Sequence, residues 1–157
     1  MHLNFKEGIM ERTYKKFPLF PKEVSICDSR INSIICSDNA IRFVFPKGFT
    51  IISDGKSEKS STGSIELLEC DADEFICHIF KREASPFGAR LYGEPVSLRE
   101  LSELLNDEGN EIEVFLELYD FNYLYWRGVL LPYKEHGLSD NVVIEFNGQI
   151  QANYLWK

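Results

Sequence analysis

The strongest constraint on how this chain folds lies in residues 111–131. Ile112, Val114, Leu116 and Leu118 alternate there with Glu111, Glu113, Phe115, Glu117 and Tyr119, until Asp120-Phe121-Asn122 interrupts and the alternation resumes. A period of two belongs to a half-buried strand and not to a helix. Pairing the returning strand about Phe121 sets Leu118 against Leu124, Leu116 against Trp126 and Ile112 against Leu130, which makes one continuous apolar face. On the other face the same register sets Tyr119 against Tyr123, Glu117 against Tyr125 and Phe115 against Arg127. A sheet face of acids and rings either receives another layer of the fold or meets a partner.

Three segments share one turn logic. Residues 31–36 run into Ser37-Asp38-Asn39 and return through 40–45; the 111–131 hairpin turns on Asp120-Phe121-Asn122; residues 142–145 turn on Phe146-Asn147-Gly148 and return through 149–156. Each turn ends on Asn or Gly, the residues that best tolerate the left-handed position closing a three-residue loop. In the last hairpin this loop pairs Ile144 with Ile150, whereas a two-residue Asn147-Gly148 loop would set Ile144 against Gln151 and mix the faces. A fourth hairpin, 65–70 with 74–80, turns near Asp71-Ala72-Asp73 and brings Glu66 across from His78.

One helix is expected over about 97–107. Ser97 and Glu100 form a capping-box pair, Leu98, Leu101, Leu104 and Leu105 make an apolar stripe, and Gly109 lies just beyond. Its expected role is to cover one face of the sheet. Residues 53–64, rich in Ser, Lys and Gly, read as a flexible loop, and 84–96, with Pro86, Gly88, Gly93 and Pro95, as an irregular connection into the helix. Together these features predict a single α+β domain over 1–157, mainly antiparallel β. About eight to ten strands would form a curled sheet, partial barrel or sandwich, with residues 1–22 as a peripheral segment.

Charge narrows the partners. The chain of 157 residues carries a formal net charge of −8, and this is uneven: residues 1–22 are basic by +3 and residues 53–120 acidic by −11. Phosphate backbones are repelled by such a field and cationic proteins attracted, so a basic protein is the expected partner and nucleic acid is not. The four cysteines show no zinc-ligand spacing, and Cys77-His78 would point to opposite faces of a strand, so no metal or other cofactor is expected. Charged residues interrupt the apolar N-terminal stretch, which gives no spanning helix and no signal-peptide core; the expectation is a cytoplasmic protein with free thiols and no membrane contact.

No catalytic motif is evident. Gly55-Lys56-Ser57 ends like a phosphate-binding loop, but Thr50 stands where the first glycine is needed. Asp71, Asp73 and Glu74 lack the glycine and distal glutamate of a calcium loop. The expected class is therefore non-enzymatic, with no catalytic residues.

The run Cys27-Asp28-Ser29-Arg30-Ile31, followed by Ile41-Arg42-Phe43-Val44-Phe45-Pro46-Lys47-Gly48-Phe49, resembles the start of small bacterial antiparallel-β domains of unknown function, some of which are toxin-immunity proteins. The resemblance implies a small cytoplasmic domain that neutralises another protein by binding it. The expected partner surface is Glu111, Glu113, Phe115, Glu117, Tyr119, Tyr123, Tyr125 and Arg127, with acids steering the encounter and rings anchoring it. The structural alternative buries Phe115, Tyr123 and Tyr125 beneath the helix or the N-terminal segment. Two other classes remain open: a small-molecule carrier with a cavity lined by Phe43, Phe45 and Trp126, and a domain that self-associates through an edge strand.

Overall fold

The computed structural model describes residues 4–6, 8–15, 23–132 and 139–157. In chain order the strands of the first half are β1 (Asn4–Lys6), β2 (Ile9–Lys15), β3 (Val24–Ser25), β4 (Ser29–Ile31), β5 (Ser33–Ser37), β6 (Ala40–Phe45), β7 (Thr50–Ser53), β8 (Lys56–Lys59) and β9 (Gly63–Leu68). A 3-10 turn, Ala72–Glu74, leads to β10 (Phe75–Ser85), β11 (Gly88–Val96), helix α1 (Leu98–Asn106), β12 (Glu111–Asp120), β13 (Tyr123–Leu131), β14 (Asn141–Asn147) and β15 (Gln151–Trp156). They form three antiparallel sheets: β1-β2-β15-β9-β6-β5, then β11-β10-β14-β13-β12-β4, and a small β3-β7-β8. The antiparallel architecture with one helix is as expected. Among the described residues the strands outnumber the expected eight to ten, and the sheets do not close into a barrel.

The two six-stranded sheets pack face to face, because strand alternation gives each an apolar inner side. Ile41, Phe43 and Phe45 of β6, Ile65 and Leu67 of β9, and Tyr154 of β15 come from one layer. Phe75 and Cys77 of β10, Ile144 and Phe146 of β14, and Leu124 and Trp126 of β13 come from the other, and all are buried. Phe43 joins the layers, its ring 4.8 Å from Trp126 and 6.3 Å from Phe75 between centroids. Phe45 makes an edge contact with Phe49 at 5.4 Å. Phe43, Phe45 and Trp126, the expected lining of a carrier cavity, are all buried in this core.

Helix α1 begins as its sequence dictates. The Ser97 hydroxyl accepts the Glu100 N–H at 3.0 Å, and the Glu100 carboxylate accepts the Ser97 N–H at 2.7 Å. Leu98, Leu101 and Leu105 are buried. The helix packs on β5 and β10, one strand from each layer, and so plugs the side of the sandwich without covering a sheet face. Asn106 closes the β5 edge: its Oδ1 accepts from the Ile34 N–H at 3.2 Å, and its Nδ2 donates to the Ile34 carbonyl at 2.9 Å.

Several local expectations are corrected. Residues 33–45 do form a hairpin, but Ser37 faces Ala40, which leaves the two-residue turn Asp38-Asn39. The expected last hairpin does not form: β14 lies between β10 and β13 in one layer, whereas β15 lies between β9 and β2 in the other. The expected 65–80 hairpin divides in the same way. Glu66 binds Arg42 at 2.7 Å, and His78 faces Val143 and Pro95. Both segments pass from one layer of the sandwich to the other, and a turn signal marks that a strand ends without saying where the next one pairs. Residues 53–64 contain β8, joined to β7 by Asp54-Gly55 with φ of 50° and 73°. Positive φ at both turn positions matches the twist of a two-residue hairpin. Residues 88–96 form a regular strand and not an irregular connection. Within the N-terminal 22 residues, β2 extends the first sheet by pairing with β15. Among the described residues no helix is long and apolar enough to cross a membrane.

Candidate docking face

The candidate face is the side of the second sheet turned away from the core, and a β-bulge at Phe115 decides which residues reach it. At the foot of the β12–β13 hairpin the register is the expected one, with Ile112 facing Leu130 and Val114 facing Gly128. Beyond the bulge Leu116 faces Arg127, Glu117 faces Trp126, Leu118 faces Tyr125 and Asp120 faces Tyr123, leaving the two-residue turn Phe121-Asn122. One extra residue on one strand inverts the side-chain parity of everything that follows. The pairs Tyr119–Tyr123 and Glu117–Tyr125 expected from simple alternation therefore do not form.

Glu117 and Tyr119 consequently point inward. Glu117, 8% exposed, accepts at Oε2 from the N–H groups of Ile26 and Cys27, at 2.7 and 2.9 Å, and from the Ser25 hydroxyl at 2.9 Å. Its Oε1 accepts from the Tyr119 hydroxyl at 3.2 Å, which in turn accepts from the Trp126 ring N–H at 3.0 Å. Burial, with Tyr154 and Glu117 nearby, holds the Tyr119 hydroxyl well above the ordinary tyrosine range. The carboxylate ties the chain at the end of β3 to the upper half of β12; it is a structural latch and no part of an outer surface. The Cys27 thiol beside it is pushed up to about 11, by burial first and by the Glu117 charge second, which keeps it protonated and unreactive near neutrality.

Leu116 and Leu118 take the outward positions, 37% and 50% exposed, beside the bulged Phe115 at 45%. Arg127 lies between two rings, its guanidinium carbon 5.7 Å from the Phe115 centroid and 6.0 Å from that of Phe80. Tyr123 and Tyr125 stack at 6.5 Å. The Tyr123 hydroxyl donates to Glu145 at 2.6 Å, and partial burial together with this carboxylate pushes it up to about 12. Glu113 is paired with Arg30 at 2.8 Å. Glu111 is half-buried at the foot of β12, opposite Leu131.

Of the eight residues singled out from the sequence, the structure gathers Phe115, Tyr123, Tyr125 and Arg127 on this face, with Glu111 and Glu113 at its margin; Glu117 and Tyr119 leave it. Neither Tyr123 nor Tyr125 is sealed, since both are half-buried, and α1 lies elsewhere. Sequence reasoning missed Leu116, Leu118, Ile76, His78, Phe80 and Glu145. Ile76, His78 and Phe80 alternate with the buried Phe75, Cys77 and Ile79, so β10 is apolar on both sides. That double-sided pattern was the available signal for a second contact surface. The face is thus more apolar and less acidic than alternation alone implied. Comparison with protein-family models, with curated proteins and with solved structures finds no match to this chain.

Proposed function

We propose that this protein is a non-enzymatic binding module of the immunity type, which neutralises a basic, toxin-like protein by covering it with the outer face of the second sheet. The observation that carries this proposal is one surface on which Ile76, Phe115, Leu116 and Leu118 stand 53%, 45%, 37% and 50% exposed around the Arg127 and Tyr125 side chains. Large apolar side chains exposed together on one sheet face mark contact surfaces, and Tyr and Arg are the side chains most enriched where binding energy concentrates. The acids on the face are few and already hydrogen-bonded. Attraction for a cationic partner therefore comes from the whole acidic chain, at −8, and acts chiefly on the rate of encounter.

The test is calorimetric titration with the protein encoded by the adjacent reading frame, at low and at raised salt. Binding at low salt, weakened by salt and weakened about tenfold or more by Leu118→Arg, supports the proposal. No heat at low salt, or an affinity indifferent to Leu118→Arg, overturns it.

A further inference from the structure

We infer that the free edge of β11 joins two copies of this chain, antiparallel and two-fold symmetric, with Tyr92 facing Tyr92 of the second copy. This edge borders the docking face, sharing Phe80 with it, but the pairing of β11 does not depend on a partner at that face. β11 pairs with β10 from Cys77–Val96 to Ser85–Gly88, but β14 accompanies β10 only as far as Phe80. Beyond that point β10 and β11 project as a two-stranded ribbon, and every residue from Arg82 to Pro95 that the ribbon contains is exposed. A ribbon of two strands is marginal in water, and a long open edge is a template for another strand.

The sequence of this edge is complementary to itself in one register. Arg90, Tyr92 and Glu94 share one face of β11 by alternation. Turning a second copy about Tyr92 places Arg90 opposite Glu94 of the second copy, and Glu94 opposite its Arg90, so two opposite-charge pairs flank the tyrosines. These charges continue a pattern already present within one chain: Glu94 binds Lys81 at 2.7 Å, and the Tyr92 hydroxyl donates to Glu83 at 3.3 Å. The two rows flanking the tyrosines then run Glu83, Arg90 and Glu94 of the second copy, alternating in sign. Other two-fold registers set Arg90 and Glu94 against uncharged residues or against their own kind.

The backbone and the opposite face agree with this register. Pro95, opposite His78, has no N–H and so suits the non-hydrogen-bonded kind of pair, which turns the N–H and C=O groups of Ala89, Leu91 and Gly93 toward the open edge. In the two-fold register Leu91 meets Gly93 of the second copy, and the two exchange hydrogen bonds on both sides of the axis. Gly93 is covered by Phe80, whose ring lies 2.8 Å from where a Cβ would be, so Leu91 of the second copy lands beside that ring. Phe87, fully exposed at the tip of the ribbon, comes opposite Ser97 of the second copy, at the start of α1.

Sedimentation equilibrium of the full chain over a range of concentrations tests this. The wild type forms a dimer. Arg90→Glu and Glu94→Arg each weaken it about tenfold or more, because like charges then face each other twice across the axis. Mixing the two variants restores a dimer, since the edge that carries two acids then meets the edge that carries two bases, and both facing pairs are again opposite in sign. Leu91→Pro, which removes an outward N–H and spares the β10 ladder, gives a monomer whose circular dichroism matches the wild type. A wild type that is monomeric at all concentrations overturns the inference. So does a dimer indifferent to these substitutions, or a mixture that fails to reassociate.

Discussion

Glu117 is the residue whose role most changes the picture of this surface. Read by alternation it belongs to an acidic docking patch; in the fold it collects two backbone N–H groups, a serine hydroxyl and a tyrosine hydroxyl in a buried setting. Hydrogen bonds to a charged group are stronger than neutral ones, and buried donors left without an acceptor are costly. Glu117→Ala is expected to destabilise the protein by about 2–3 kcal/mol, read from the midpoint of chemical denaturation. An unchanged midpoint would contradict the latch. Tyr123 illustrates the opposite case, a hydroxyl that belongs to the outer face. Its folded value of about 12 lies above the ordinary tyrosine value of 10, so the neutral phenol that donates to Glu145 is the favoured form. Its contribution to stability is whole below pH 10 and is lost as pH rises from 10 to 12. Ultraviolet titration should show that Tyr123→Phe removes a tyrosinate component appearing near pH 12; loss of a component near pH 10 would contradict the assignment.

At the scale of the element, the bulge at Phe115 and Gly128 act together. A Cβ at Gly128 would lie 2.6 Å from the Glu113 carbonyl oxygen and 2.6 Å from the Ile112 side chain, so β12 crosses β13 closely just before it bulges. Gly128→Ala forces backbone apart and not merely a flexible side chain, and is expected to cost about 1–3 kcal/mol, measured by denaturation. A neutral effect would mean that the two strands separate there without penalty. The same place shows where the sequence stops being informative. The foot of the hairpin, with Ile112 on Leu130, was legible because alternation and pairing agree. The tip was not, because apolar residues stand at both parities from Val114 to Leu118 and nothing in the residue order marks the extra one. Helix α1 was legible to its caps, since Ser97 and Glu100 act locally. The pairings of β9 and β15 were not, because they are chosen by the other layer of the sandwich. The β7–β8 hairpin carried a usable signal in Asp54-Gly55, masked by the polarity of an exposed strand.

At the scale of the whole molecule, two layers leave two sheet faces outside the core, and that of the second sheet carries the exposed Ile76, Phe115, Leu116 and Leu118. The chain carries −8 in all and few carboxylates on that face, so on the proposed function salt should slow association with a cationic partner more than it hastens dissociation. On the proposed function, anchoring and steering are divided between different residues, Leu118, Phe115, Ile76 and Arg127 for the first and the dispersed carboxylates for the second. Hydroxyl-radical footprinting with and without the protein encoded by the adjacent reading frame examines this division most directly, because it reads the solvent access of individual side chains. Protection of Ile76, Phe115, Leu116 and Leu118, with Ile35 on the far sheet as reactive as before, is the predicted result. Unchanged reactivity at those four positions, with protection elsewhere, would contradict the proposed role of this face.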